Sequence, residues 1–281
     1  MNKPKRIFVM ALANFSSWSH SPRTMLMFLF VVSLCFLQTN SFQQMLHETG
    51  YKMHLNETMF FHFNVGCNIT YISMAFLIMV NEMPLQIRFQ DDILIRSTKT
   101  QWLFSQLIYG LFMVLSMVFL LMVFICLFSL PHITLGDGWS DTIRIANSEI
   151  SEDETLVSQY VLENFLPFSA FAVSLLPIFF FWYTMLLIIM LCSFCGFPML
   201  GTLIYASLLV LNVTILHELL PISIPLPITY ATFGSITNAV VNDKGGYLMK
   251  CIAGYVVLDC ILVFFLFQRI HLMDLRFENK G

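Results

Sequence analysis

No charged residue occurs between Glu163 and Glu218, and this stretch constrains the fold more than any other part of the chain. At 1.5 Å per residue, one helix of that length would far exceed the ~30 Å hydrocarbon core of a bilayer, so the stretch must fold back on itself. We place the break at Gly196-Phe197-Pro198, because the residue before a proline resists helical geometry. The sequence therefore predicts two consecutive membrane spans, 166–195 and 199–217, joined by a tight turn.

The composition is that of a membrane protein. Of the 281 residues, 58% are hydrophobic and 11% are charged, whereas a soluble domain carries roughly 25% charged residues. The seven cysteines are scattered and do not form a disulfide framework, and no basic tract suited to nucleic acid is present. We expect one all-α transmembrane domain over residues 1–281, with the lipid bilayer as its surroundings and no nucleic-acid partner.

Six apolar segments approach or exceed the ~20 residues that a helix needs to cross a bilayer. The predicted transmembrane helices are 24–42, 59–80, 102–130, 166–195, 199–217 and 247–268. The preceding residues 1–23 begin with Lys3, Lys5 and Arg6 and continue with apolar residues at helical spacing. That pattern is typical of an amphipathic helix in the membrane interface.

Two connections on the outer side are long. Residues 131–165 predict an extracellular loop between the third and fourth spans. Residues 218–246 are largely apolar but contain Pro221, Pro225 and Pro227, which prevent a regular spanning helix. We expect extracellular re-entrant segments there, since irregular backbone is tolerated at membrane depth where protein covers it.

The distribution of lysine and arginine orients the chain. With the N-terminus inside, the inner side holds Lys3, Lys5, Arg6, Arg23, Arg88, Arg96, Lys99, Arg269, Arg276 and Lys280, and the outer side holds Lys52, Arg144, Lys244 and Lys250. This asymmetry satisfies the positive-inside rule and depends on the fold-back at Gly196. We expect a multi-pass protein of the plasma membrane with both termini in the cytoplasm.

The cytoplasmic loop 81–101 contains an amphipathic pattern. Apolar residues recur every four positions from Leu85 to Ile93, which predicts one stripe of a short helix. Arg88, Asp92 and Arg96 recur on a neighbouring stripe and place an acid between two bases. One interpretation is a helix that presents charges to a soluble partner; the other is an ordinary charged loop between two spans.

Motifs of catalysis are missing from the sequence. No G-x-x-x-x-G-K-[ST] phosphate-binding loop occurs. His217-Glu218 begins like a zinc-binding H-E-x-x-H, but Pro221 stands where the second histidine would be. Asp91-Asp92 lacks the second acidic pair of a magnesium–diphosphate site. We predict no catalytic residue, no metal ligand and no cofactor in this chain, with an intramembrane enzyme as the less favoured alternative.

Four polar residues inside predicted spans are candidates for a transport pathway. Asp259 is the one acid well inside a span, and such an acid normally faces the bundle interior with a partner. It either lines a pathway or anchors its helix to a neighbour such as Asn64 or Asn68. Asn64, Asn68 and Tyr71 share one face of the predicted second span, where they either line a pathway or join helices by hydrogen bonds.

The order of these segments resembles the permease subunits of bacterial type-two ABC exporters. The residues that carry the resemblance are Ser21-Pro22-Arg23 before the first span, FQDDILIRSTKTQWLFSQLIYG from Phe89 to Gly110, and the proline-broken stretch from His217 to Tyr247. The resemblance covers the whole chain in architecture, while its residue motifs are weak. The predicted loop 131–165 is longer than the family leads one to expect.

The resemblance implies a mechanism. Two permease copies, identical or related, would enclose a pathway, and two P-loop ABC ATPase subunits would dock below and hold the ATP and magnesium. Loop 81–101 would contain the coupling helix, and its charges Arg88, Asp91, Asp92 and Arg96 would contact the ATPase. The exported substrate would be hydrophobic or peptide-like.

The sequence leaves open a second class of function. A non-transporting immunity or sensor protein would bind a peptide at its outer surface, where Glu149, Glu152, Asp153 and Glu154 form an acidic patch. A solvated surface without a partner is the simpler interpretation of that patch.

Overall fold

The computed structural model describes residues 3–49, 53–64, 66–81, 83, 98–130, 133–134, 136–141, 143, 157–216, 227–233, 236 and 244–272. Nearly all of these residues are helical. The elements are α1 (Lys3–Ser19), α2 (Pro22–Thr49), β1 (Met53–His54), α3 (Leu55–Asn64), α4 (Gly66–Val80), α5 (Lys99–Ser129), β2 (Ile133–Thr134), α6 (Gln159–Asn164), α7 (Pro167–Phe194), α8 (Pro198–Leu216), a 3₁₀ helix (Pro227–Ala231) and α9 (Lys244–Leu272). The strands β1 and β2 form a short parallel pair that the all-α prediction did not include.

Four helices in the described residues are long and apolar enough to cross a membrane. They are Pro22–Asn40 within α2, all of α5, all of α7, and Gly245–Leu272 within α9. Helices α3 and α4 are long and apolar enough when they are taken together as one bent pair. Residues Pro198–Val213 of α8 form a shorter apolar helix. The prediction of a helical protein with several apolar helices suited to a membrane is confirmed, while six crossings and the re-entrant segments at 218–246 stay predictions.

The segment predicted as one span at 59–80 consists of two helices. Helices α3 and α4 meet at an angle of 74°. Both helices are apolar, so the hydropathy of the segment gives no sign of the bend. Because of it, Asn64 on α3 does not continue the face that Asn68 and Tyr71 share on α4, contrary to the expectation of one common face.

Helix α7 lies at the centre of the bundle. It contacts α9, α8, α3 and α5, while α1 packs on α5 and α2 packs on both α5 and α4. Trp182 of α7 is fully buried, stacks on Phe76 of α4 at 5.2 Å between ring centroids, and donates a 2.9 Å hydrogen bond from Nε1 to Ser73 Oγ. The indole can be buried at this depth because its one polar atom has a partner.

The predicted break at Gly196-Phe197-Pro198 is confirmed as the turn between α7 and α8. Gly196 has a φ of 89°, which glycine adopts without the steric cost of a Cβ. The N–H of Phe197 bonds to the carbonyl of Cys192, and the N–H of Gly196 to that of Ser193. These two bonds form a Schellman motif, and Pro198 then begins α8, where its missing N–H costs nothing.

Beyond this turn α7 and α8 approach each other closely. A Cβ placed on Gly201 of α8 would lie 2.6 Å from the Cα of Ile189 in α7. Only glycine fits there, since the obstacle is backbone and cannot move aside as a side chain can. The glycine therefore sets the spacing of the α7–α8 pair.

Candidate functional site

The charged residues predicted to contact an ATPase are Arg88, Asp91, Asp92 and Arg96, and all four lie outside the described residues. The residues on both sides of this stretch are described. Asn81 follows the last turn of α4, and Thr98 precedes the first turn of α5. The candidate site is therefore built from the helix ends that hold the stretch 84–97.

One end of the stretch is joined to α8. The side chain of Thr202 donates a 2.8 Å hydrogen bond to Oδ1 of Asn81. Two residues after Asn81, Met83 is buried again, with 4% of its surface exposed. The chain that leaves α4 is thus still packed against the protein where the charged stretch begins.

The other end is fixed by a capping box at the start of α5. The Thr98 hydroxyl accepts from the N–H of Gln101 at 3.3 Å, and the Gln101 side chain accepts from the N–H of Thr98 at 3.4 Å. Capping of this kind satisfies N–H groups that a helix leaves unpaired at its start. It fixes where α5 begins and how the chain approaches it.

Three helices meet beside these flanks. Trp102 of α5 stacks on Phe194 at the end of α7, with 5.6 Å between ring centroids. Arg269 of α9 donates a 3.2 Å hydrogen bond from Nε to the Phe194 carbonyl, and a cation is favourable at a helix C-terminus. We call Asn81, Thr98, Trp102, Phe194, Thr202 and Arg269 the Trp102-end cluster. It connects α4, α5, α7, α8 and α9, and two of its members, Asn81 and Thr98, flank the charged stretch in sequence.

Asp259 is held within the bundle by a residue that the sequence did not point to. It is 8% exposed, and its Oδ1 accepts a 2.6 Å hydrogen bond from Thr184 Oγ1 of α7. The sequence suggested Asn64 or Asn68 as its neighbour. The contact joins the last apolar helix to the central one, which is what an anchoring role requires.

The remaining pathway candidates have different surroundings. The Asn64 amide donates a 2.6 Å hydrogen bond to the Phe60 carbonyl of its own helix. Asn68 is half-buried, and Tyr71, one turn further along α4, is 39% exposed. In a single chain Tyr71 therefore faces outward from the bundle and not into its interior.

A second polar cluster lies at the opposite end of the bundle. Glu57 in the first turn of α3 is fully buried. One of its oxygens accepts a 2.8 Å hydrogen bond from the His54 N–H, and the other accepts from the N–H of Ser140. His54 Nδ1 lies 2.7 Å from the Gly138 carbonyl; because a carbonyl only accepts, that nitrogen carries the proton.

Aromatic rings surround this carboxylate. Trp139 packs edge-on against Phe60 at 5.6 Å and donates a hydrogen bond of 2.8 Å from Nε1 to the Phe165 carbonyl. Phe233 contacts both Phe60 and Phe165. We call this region the Trp139 end. It ties the loop after β2 and the segment before α9 onto the ends of α3 and α7.

Sequence reasoning did not identify Glu57, Thr184 or Thr202. Glu57 accepts the His54 N–H as the acid of a capping box does. The motif could not be recognised in the sequence, because His54 stands where a capping box has serine or threonine. Thr184 and Thr202 gave no signal either, since threonines in apolar helices are common and their partners are distant in sequence.

Within the described ranges, no group of three or more His, Cys, Asp or Glu side chains is placed to bind a metal ion. No protein-family model, curated protein or solved structure matches the chain.

Proposed function

We propose that this chain is the membrane-spanning permease subunit of an ABC exporter in a bacterial plasma membrane. It would move a hydrophobic or peptide-like substrate, using ATP and magnesium bound by separate P-loop ATPase subunits. The observation that carries the proposal is the Trp102-end cluster, which fixes Asn81 and Thr98 on the two sides of the charged stretch and connects the ends of five helices.

A permease without its own nucleotide site must receive work through contact with the ATPase. The ATPase can shift the equilibrium between two conformations of the permease only if it binds one conformation more tightly than the other. The cluster suits that transfer. A displacement of the stretch 84–97 would be transmitted to α8 through the Thr202–Asn81 hydrogen bond. It would be transmitted to α7 through the stacking of Trp102 on Phe194.

The position of α1 supports a location of this cluster beyond the bilayer. Phe8 and Phe15 of α1 both contact Phe112 of α5, at 5.8 and 6.0 Å. Phe112 is thirteen residues after Lys99, which is roughly 20 Å along a helix. If α1 lies in the inner interface, as its sequence predicts, the first turns of α5 project into the cytoplasm and bring the charged stretch to a soluble subunit.

The exposure of α4 supports a second permease copy, identical or related. Tyr71 and Ile78 are exposed and lie on one stripe of α4, since they are seven residues apart. A pathway that includes Asn68 and Tyr71 would therefore form between two copies. Asp259, which faces α7, suits anchoring better than pathway lining.

The experiment is purification from native membranes in mild detergent, with mass spectrometry of the bound proteins. It compares the wild type with the double variant Asp92→Ala and Arg96→Ala. The matched control is Asp137→Ala with Lys52→Ala, which also removes one acid and one base but on the predicted outer side.

We expect a P-loop ATPase to accompany the wild type and the control variant and to be lost from the double variant. If no ATPase accompanies the wild type while other membrane complexes stay intact, the exporter proposal fails. The immunity or sensor function would then be tested by peptide binding at the predicted outer acidic patch, whose residues lie outside the described part of the chain.

A further inference from the structure

A cavity of about 370 Å³ lies between the 3₁₀ helix and α9, on the side toward the Trp139 end. Its walls include Tyr230, Tyr247, Tyr255, Lys250 and Gly254. The Tyr255 hydroxyl donates to the Pro227 carbonyl, which holds the 3₁₀ helix against α9. None of these residues belongs to the Trp102-end cluster or to the pathway candidates.

The polar part of the cavity is positively charged. The Lys250 side chain is exposed, and no carboxylate of the described residues forms an ion pair with it. The nearest acid along α9 is Asp259, nine residues away or roughly 13 Å. Three tyrosines line the cavity together with the lysine, and tyrosine and lysine are both typical of a membrane–water interface. This region attracts an anion and repels a quaternary ammonium group.

The apolar part continues along the surface of α9. A Cβ on Gly254 would meet no atom within 4 Å, so the cavity is open beside this glycine, and we call this opening the groove. Leu258, Ile261 and Phe265 follow on the same stripe and are 41%, 46% and 49% exposed. The distance from Gly254 to Phe265 is roughly 17 Å along the helix, close to the length of a lipid acyl chain.

We propose that this groove binds one anionic phospholipid. The phosphate lies at Lys250, the glycerol backbone fills the cavity beside the tyrosines, and an acyl chain follows Gly254, Leu258, Ile261 and Phe265. The cavity is within the size range of small-ligand sites but too small for a whole lipid, so the chains must leave it along the exposed stripe. This site does not depend on the proposed export function.

The test is native mass spectrometry of the full chain in mild detergent with equimolar phosphatidylglycerol and phosphatidylcholine. We expect the wild type to retain one phosphatidylglycerol in preference. Lys250→Gln lowers the ratio of retained phosphatidylglycerol to phosphatidylcholine by about fivefold, the effect of one basic residue at a membrane surface, and Lys250→Arg preserves the ratio.

Gly254→Leu fills the groove and abolishes retention of the lipid, with a melting temperature no lower than that of the wild type as the check on folding. The matched control is Val257→Leu, which enlarges a lipid-exposed side chain of the same helix outside the groove. Glycerol phosphate, which has the headgroup but no chains, does not displace the lipid.

Three results would overturn the proposal: equal retention of both lipids by the wild type, full retention by Gly254→Leu, or displacement by glycerol phosphate.

Discussion

The hydroxyl of Thr202 donates a 2.8 Å hydrogen bond to Oδ1 of Asn81, and so joins the second turn of α8 to the residue that leaves α4. One residue earlier, Gly201 approaches the backbone of α7 so closely that a Cβ would collide with it. Asn81, which precedes the charged stretch, is thus attached to α8 beside its close approach to α7.

Replacing Thr202 with valine removes this attachment at nearly constant volume. Because the bond is exposed to solvent, we expect a loss in the free energy of unfolding of only about 0.5 kcal/mol. If the bond transmits motion between the ATPase and the permease, the rate of ATP hydrolysis by the purified permease–ATPase complex falls by a larger factor than this change in stability explains. Thr202→Ser retains the hydroxyl and serves as the control; equal hydrolysis by the two variants would show that the bond transmits nothing.

Gly201→Ala should destabilise the protein by about 1–3 kcal/mol, because a methyl group there forces the backbones of α7 and α8 apart. The control is Gly254→Ala in α9, where a Cβ meets no atom within 4 Å and the helix gains about 1 kcal/mol from the change. Unfolding in mixed detergent micelles measures both. Similar destabilisation by both variants would contradict the close approach at Gly201.

Thr184→Val removes the hydrogen bond to Asp259. Such bonds between membrane helices contribute about 0.6 kcal/mol on average, with a maximum near 1.7, and we expect a destabilisation in that range. Thr184→Ser should cost less, since it keeps the donor.

Asp259→Asn separates the two roles of the acid: loss of transport without loss of stability would indicate pathway lining, and the reverse would indicate anchoring. No change in either would exclude both roles.

Glu57→Gln should destabilise the Trp139 end by about 1–3 kcal/mol. Its two carboxylate oxygens each accept a backbone N–H, and an amide offers only one acceptor, so one buried N–H loses its partner. Hydrogen–deuterium exchange around His54 and Ser140 would locate the loss. Unchanged exchange in both segments would mean that the carboxylate does not hold the two together.

The turn at Gly196 could be predicted from the sequence to within one residue, because its signals are local. A glycine and a proline two positions apart end one helix and start the next, and the structure places the ends at Phe194 and Pro198. The long apolar helices were predictable for the same reason, although α2 extends to Thr49, beyond the predicted end at 42. There Phe42, Met45 and Leu46 keep a helical spacing within polar neighbours.

Contacts between distant residues were not predictable from one sequence. Glu57 and Ser140 are separated by 83 positions, and Thr184 and Asp259 by 75. Many polar residues in apolar helices would have been equally reasonable partners. The bend between α3 and α4 could not be predicted either, since an apolar segment has the same hydropathy whether it is straight or bent.

The most direct measurement is site-specific photo-crosslinking in native membranes. A photoreactive amino acid replaces Arg88 in the charged stretch in one variant and Asp137, which is exposed at the Trp139 end, in another. We predict a covalent adduct with a P-loop ATPase from position 88 and none from position 137. ATPase adducts at both positions, or no ATPase adduct at position 88, would contradict the proposal that the protein receives work from the ATPase at the Trp102-end cluster.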